Sequence, residues 1–153
     1  MDLVPALVAG IGLPALATLI GLVVRSRDGR LRAGSRTQGA SGEAEALGLA
    51  PDALGTDATL VQFSTAYCSR CPGTARALGD LADAHDADVR HVEIDLTDDA
   101  ALADRFDVRQ TPTVLVLDAA GRIAGRIAGV PRTGELRALI DDLTRRNRVP
   151  QRA

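Results

Sequence analysis

The two cysteines of the chain, Cys68 and Cys71, stand in a C-x-x-C arrangement within Phe63-Ser64-Thr65-Ala66-Tyr67-Cys68-Ser69-Arg70-Cys71-Pro72. The apolar run Thr59-Leu60-Val61-Gln62-Phe63 leads into the pair and reads as a buried strand. A helical pattern from Ala75 to Ala84 leads out of it. The thiols therefore sit where a strand turns into the start of a helix. Unpaired backbone N–H groups and the positive end of the helix dipole meet there. Both stabilise a thiolate, which is the reactive form of cysteine. A second thiol three residues on can attack a mixed disulfide formed by the first.

A wider constellation competes with this reading. Cys68, Cys71, His85 and His91 are spaced C-x-x-C-x13-H-x5-H, inside the generic zinc pattern. Zinc ligands must all lie within about 2.0–2.3 Å of one ion. If Cys71 starts a helix and His85 ends it, their separation of 14 positions spans roughly 21 Å. That separation excludes a shared site, and no metal is expected. His85 reads as a helix-terminal residue suited to the dipole, and His91 as a strand histidine hydrogen-bonded to Gln62.

The rhythm around the cysteines is regular. Thr59–Ser64 reads as a strand, Pro72–His85 as a helix, Asp88–Asp95 as a strand and Asp98–Phe106 as a short helix. Thr113–Asp118 and Ile123–Ala128 form a hairpin around Ala119-Ala120-Gly121-Arg122. Thr133 caps a last helix with Leu136, Leu139, Ile140 and Leu143 on its apolar face. A helix joins the first two strands, so they should run parallel. The expected fold class is α/β, a mixed central sheet with helices on both faces. Glu43–Leu54 reads as a short helix or irregular lead-in cut at Pro51. With 2% aromatic residues among 46% hydrophobic ones, the core must be built from Val, Leu, Ile and Ala.

The N-terminal part differs in kind. Leu3 to Val24 is 22 residues without a charge, roughly 33 Å as a helix and enough to span a bilayer. Residues 1–24 are read as a single transmembrane helix. Residues 25–42, rich in Arg, Gly and Ser, read as a disordered juxtamembrane linker, residues 43–148 as the folded domain and 149–153 as a tail. Residues 1–42 carry five Arg against two Asp, and residues 43–153 carry 13 Arg against 18 acids. The folded part thus lacks a basic face for nucleic acid. Arg25, Arg27, Arg30, Arg32 and Arg36 follow the apolar run, whereas Asp2 is the one charged side chain before it. Positive flanks stay in the cytoplasm, so the domain is expected on the cytoplasmic face of a cell membrane, with the external face as the alternative.

Several features now stand in order: the strand–C-x-x-C–helix unit, Val92-Glu93-Ile94-Asp95 closing the second strand, Thr111-Pro112-Thr113 before the hairpin and Gly129 after it. From about Thr59 to Leu143 the chain resembles the thioredoxin family, in the general form of a membrane-tethered bacterial thioredoxin-like protein. The resemblance implies a thioredoxin-like fold and a catalytic pair in which Cys68 is the exposed nucleophile and Cys71 the buried resolving thiol. It implies no cofactor beyond the redox-active Cys68–Cys71 disulfide. It also implies that Pro112 follows a cis bond and that Thr111 offers its backbone to an extended substrate, with Tyr67 and Arg70 at the rim. The chain departs from the family pattern in having Tyr67 for the usual Trp, Ser69-Arg70 for Gly-Pro, and Gln62 for the buried acid. His91 occupies the position of the basic residue that commonly neighbours that acid.

The expected function is thiol–disulfide exchange with protein disulfide or dithiol substrates, served by an unidentified redox partner. The alternative is a binding module of the same fold that carries a thiol or a soft cation such as Cu(I) between the cysteines.

Overall fold

The computed structural model describes residues 12–23, 29–33 and 42–148. In chain order these form α1 (12–23), β1 (Leu31–Ala33), α2 (Glu43–Ala46), a 3-10 turn (Pro51–Ala53), β2 (Ala58–Ser64), α3 (Cys71–Asp83), β3 (Val89–Asp95), α4 (Ala100–Arg105), β4 (Thr113–Asp118), β5 (Ile123–Ala128) and α5 (Thr133–Arg148). The strands make one sheet in the order β1-β5-β4-β2-β3. β2 and β3 are parallel, and every other neighbouring pair is antiparallel.

The sequence pattern explains the layers. β2 is buried at all seven positions, because its even-numbered residues face one helical layer and its odd-numbered residues the other. On one face Ala58 and Leu60 join Val114, Val116 and Ile127 beneath Leu78 and Leu81 of α3 and Leu136 and Ile140 of α5. On the opposite face Val61 and Phe63 join Leu115 and Leu117, covered by Leu47, Leu102 and Phe106. Phe63 and Phe106 meet with ring centroids 5.9 Å apart. Each fully buried Leu, Ile or Phe contributes about 1.5–3 kcal/mol relative to exposure. The pairs Arg90–Asp88, Arg109–Asp107 and Arg132–Glu135 lie at the surface and add little. The mixed sheet covered on both faces agrees with the sequence expectation. α5 begins at Thr133 itself, so Thr133 is its first residue rather than its cap.

The segment expected to be a disordered linker is partly ordered. Leu31, Arg32 and Ala33 pair with Ile127, Arg126 and Gly125 of β5, and the Gly29 N–H donates to the Ala128 carbonyl at 2.7 Å. The physical reason is an open edge. The β4–β5 hairpin leaves one side of β5 unpaired, and Leu31 supplies an apolar side chain that packs on the core. Gly125 makes room for it, since a Cβ there would strike Leu31 and Leu139. The rest of the linker, 25–28 and 34–41, lies outside the described residues.

α1 coincides with half of the segment read as a transmembrane helix; residues 1–11 and 24 lie outside the described residues. Among the described residues no helix is long and apolar enough to cross a membrane. Leu13, Leu16, Leu19, Ile20 and Leu22 of α1 are each more than half exposed. The Thr18 hydroxyl donates to the Pro14 carbonyl at 2.7 Å, which satisfies its polar group within the helix.

The docking of β1 depends on Glu135, whose carboxylate accepts the Leu31 N–H at 3.1 Å. That bond, helped by Arg132 and Arg30, lowers the Glu135 pKa below the usual glutamate value. A carboxyl with a depressed folded pKa stabilises the docked strand at pH above its ordinary value of 4.5, and the benefit is lost as pH falls through the depressed value. Glu135→Ala should raise tryptic cleavage after Arg30 and Arg32 several-fold at neutral pH. The protection factor of the Leu31 amide should fall in the wild type only below the usual glutamate range. Cleavage rates equal to wild type would show that Glu135 does not hold the strand.

Candidate active site

Cys71 is the first residue of α3, and Cys68 lies one turn ahead of it. The Cys68 N–H donates to the Thr65 carbonyl at 3.0 Å, and the Cys71 N–H donates to the Cys68 carbonyl at 3.1 Å. These two bonds fold Ser69-Arg70 into a tight turn that brings the cysteine Cα atoms to 5.4 Å, and the sulfurs are joined as a disulfide. Cys71 is 2% exposed, whereas Cys68 is partly exposed. Only one of the two sulfurs therefore lies within reach of a macromolecular partner. Pro72 in the first helical turn has no N–H. The Gly73 N–H has no backbone acceptor among the described residues. An open donor at the positive end of α3 favours a thiolate nearby.

The loop before Cys68 is held from the side. Asp95, at the end of β3, accepts from the Thr97 N–H at 2.8 Å and from its hydroxyl at 2.5 Å. The Thr97 Oγ1 in turn accepts the Ala66 N–H at 2.8 Å. The Thr97 side-chain bond, followed by the backbone bond, holds the Asp95 carboxyl below its usual range. A second loop arrives from β4. β2 and β4 are antiparallel with Phe63 opposite Thr113, so Thr111-Pro112 emerges at the same end of the sheet as the cysteine loop. The Thr65 and Thr111 hydroxyls lie 3.4 Å apart and tie the two loops together.

The Thr111–Pro112 bond is cis. The Pro112 carbonyl accepts the Gly129 N–H at 2.8 Å. Gly129 has φ +91°, a conformation that suits glycine and few other residues. The Thr111 backbone makes no backbone hydrogen bond among the described residues, which leaves both its polar groups open beside the cysteine loop. Tyr67 is 90% exposed, and Arg70 is exposed just before α3. The Arg70 carbonyl accepts from both the N–H and the hydroxyl of Thr74, each at 3.1 Å.

Beneath the pair lies Gln62, fully buried. Its amide nitrogen donates to the Cys71 carbonyl at 3.2 Å and to the Glu93 carboxylate at 3.1 Å. Gln62 therefore does not bond His91, contrary to the sequence expectation. The parallel register sets Gln62 opposite Glu93 and Leu60 opposite His91, and the amide joins the residue directly across. His91 is partly buried, and its Nε2 has no partner among the described residues. Burial pushes the His91 pKa below the usual histidine value, and the Glu93 charge opposes this.

His85 lies past the far end of α3, where it bonds Asp141 at 3.1 Å and accepts the Ala87 N–H at 3.1 Å. The structure thus gathers Cys68, Cys71, Tyr67, Arg70, Thr111 and Pro112 at one end of the sheet and leaves both histidines outside that group. Among the described residues no cluster of three His, Cys, Asp or Glu could hold a metal ion. Sequence reasoning missed Glu93, Thr97 and Thr65. The signal for Glu93 lay in the quoted Val92-Glu93-Ile94-Asp95 stretch, but using it required the strand register.

The chain is similar to known proteins. The profile of the family described as Thioredoxin matches residues 53–142. A thioredoxin of Pyropia yezoensis is 24% identical over 74 residues, which are 48% of this chain and 69% of that one. Thioredoxin C-2 of Corynebacterium nephridii is 28% identical over 82 residues, 54% of this chain and 75% of that one. Among solved structures, a single-site mutant of the thioredoxin from Halobacterium salinarum NRC-1 superposes with a TM-score of 0.50 at 25% identity, covering 58% of this chain and 76% of that one.

Arg70 puts a fixed positive charge beside the pair, at the end of α3 that is already positive. Charge and dipole act in the same sense, favouring thiolate and so the reduced form. Arg70→Pro should make the pair more reducing, by about 10–40 mV, where about 30 mV is a tenfold change in the equilibrium constant. Equilibration of both forms against glutathione measures this. An unchanged potential, or a shift toward oxidising, would remove the electrostatic role.

Proposed function

Because the chain belongs to the thioredoxin family, we propose that it is a thiol–disulfide oxidoreductase that acts on protein disulfides through a mixed disulfide and works from a membrane anchor. The observation that carries the chemistry is the unequal exposure of two bonded cysteines at the start of a helix. In the reduced form the Cys68 thiolate attacks a client disulfide. A Cys68–client S–S bond forms, the client S–S bond breaks, and one client sulfur leaves as thiolate. The Cys71 thiolate then attacks Cys68 Sγ. The Cys68–Cys71 bond forms and the second client thiolate departs, so two electrons pass from the pair to the client. The same steps in reverse oxidise a client dithiol. The open Thr111 backbone would pair with an extended client segment by strand addition, and Tyr67 and Arg70 would border it.

The anchor reading rests on the uncharged stretch from Leu3 to Val24 and on the exposed leucines of α1. The docking of β1 adds a consequence. Five residues, 24–28, separate α1 from the docked Gly29, and five residues span at most about 18 Å. The domain would therefore work close to the bilayer surface rather than on a long leash. The arginines that follow the apolar stretch favour the cytoplasmic face, where the pair would be kept largely reduced and act as a reductase.

Cys71→Ser should trap covalent client complexes through Cys68, since attack can occur and resolution cannot; Cys68→Ser should trap few. Insulin reduction by the wild type should show turnover, which a thiol or cation carrier would not. Equal trapping by both variants would reverse the assigned roles.

The membrane face is read with a membrane-impermeant thiol reagent on intact cells after mild reduction, with any outer membrane permeabilised. Cys68 should be labelled only after lysis. Labelling before lysis would move the domain to the external face and to disulfide handling there.

A further inference from the structure

The Gln62 amide has two N–H groups, and both are committed. One goes to the Cys71 carbonyl and the other to Glu93. Both partners are acceptors, so the amide can be oriented in one way only, with nitrogen toward them. Its carbonyl oxygen is then left buried without a partner among the described residues. Such an orientation is costly for the oxygen and persists only while both nitrogen bonds hold. Glu93 supplies one of them from the exposed side of β3, the strand at the edge of the sheet.

We propose that Glu93 is a positioning residue for the resolving cysteine, acting through Gln62 on the first turn of α3. The inference rests on the oxidoreductase reading above. The Cys71 carbonyl belongs to the residue whose sulfur must reach Cys68 Sγ in the second step. Pinning that carbonyl to the sheet holds the buried sulfur in line with the mixed disulfide. Cys68 lies outside this link, so its own attack on a substrate does not depend on it. Without Glu93 the amide is free to rotate and exchange its nitrogen bond to Cys71 for one made by its oxygen elsewhere. Glu93 never touches the substrate or the sulfurs, and its effect is confined to resolution.

The test uses the full-length chain in detergent with oxidised glutathione as the probe. Stopped-flow measurement separates attack by Cys68 from release of glutathione by Cys71. Glu93→Ala and Gln62→Leu should each slow release about threefold to tenfold, the effect of losing one link in a buried hydrogen-bonded chain, and leave attack unchanged. The double variant should be no slower than Gln62→Leu alone, because the two residues act in series. Glu93→Gln, which keeps an acceptor, should restore release to near the wild-type rate. Additive effects, or attack and release slowed in parallel as by general loosening, would overturn the proposal. A second measurement does not need turnover. In the disulfide form the two Gln62 side-chain amide protons should be protected from solvent exchange, and Glu93→Ala should release one of them and shift the Cys71 carbonyl resonance. Unchanged resonances would reject the positioning role. Failure of the wild type to react with glutathione would count against the oxidoreductase reading alone.

Discussion

Burial of one strand on both faces is the constraint from which the rest of this structure follows. β2 has no solvent-facing side, so a helical layer must cover each face, and the neighbours β3 and β4 must satisfy its backbone on both edges. At its C-terminal end the chain leaves the sheet and can bring a reactive side chain within reach of solvent. The cysteine loop leaves there. The loop before β4 arrives there too, because an antiparallel neighbour begins where β2 ends. The meeting of Thr65 with Thr111 is a consequence of that topology.

Within this frame the two cysteines differ by position alone. They stand three positions apart, yet one is the first residue of a helix packed on the sheet and the other belongs to the turn outside it. The division between an accessible and a buried sulfur needs no special environment around either residue. The pair also has polar support. The turn is fastened laterally by Asp95 and Thr97 and from below by Gln62. A neutral amide takes no proton at physiological pH, so that support is geometric, and the nearest carboxylate in the link sits one strand away at Glu93.

The N-terminal region shows how an open sheet edge recruits sequence that looks unstructured. Arg, Gly and Ser dominate residues 25–42, a composition that builds no core. A core was already present, however, and β5 offered unpaired backbone groups beside an apolar patch. One leucine, a glycine that clears space for it and a glutamate that accepts its N–H were enough to dock three residues. Edge strands left open are a liability that proteins commonly cover, and here the covering segment also shortens the reach between α1 and the domain.

Local pattern carried most of what could be read without coordinates. The bounds of β4 and β5 coincide with the runs read as a hairpin at Thr113–Asp118 and Ile123–Ala128, and the helix after the cysteines follows from its apolar spacing. Cys68 and Cys71 were legible for the same reason: the chemistry of a C-x-x-C pair at a strand–helix junction depends on neighbours in the chain. The partner of Gln62 and the docking of Leu31 were not legible, because both depend on register between segments 31 and 96 residues apart. A shift of one residue in register would exchange every pairing across the two strands. That register is decided by how all the side chains of the two layers pack together, which no single stretch of sequence contains.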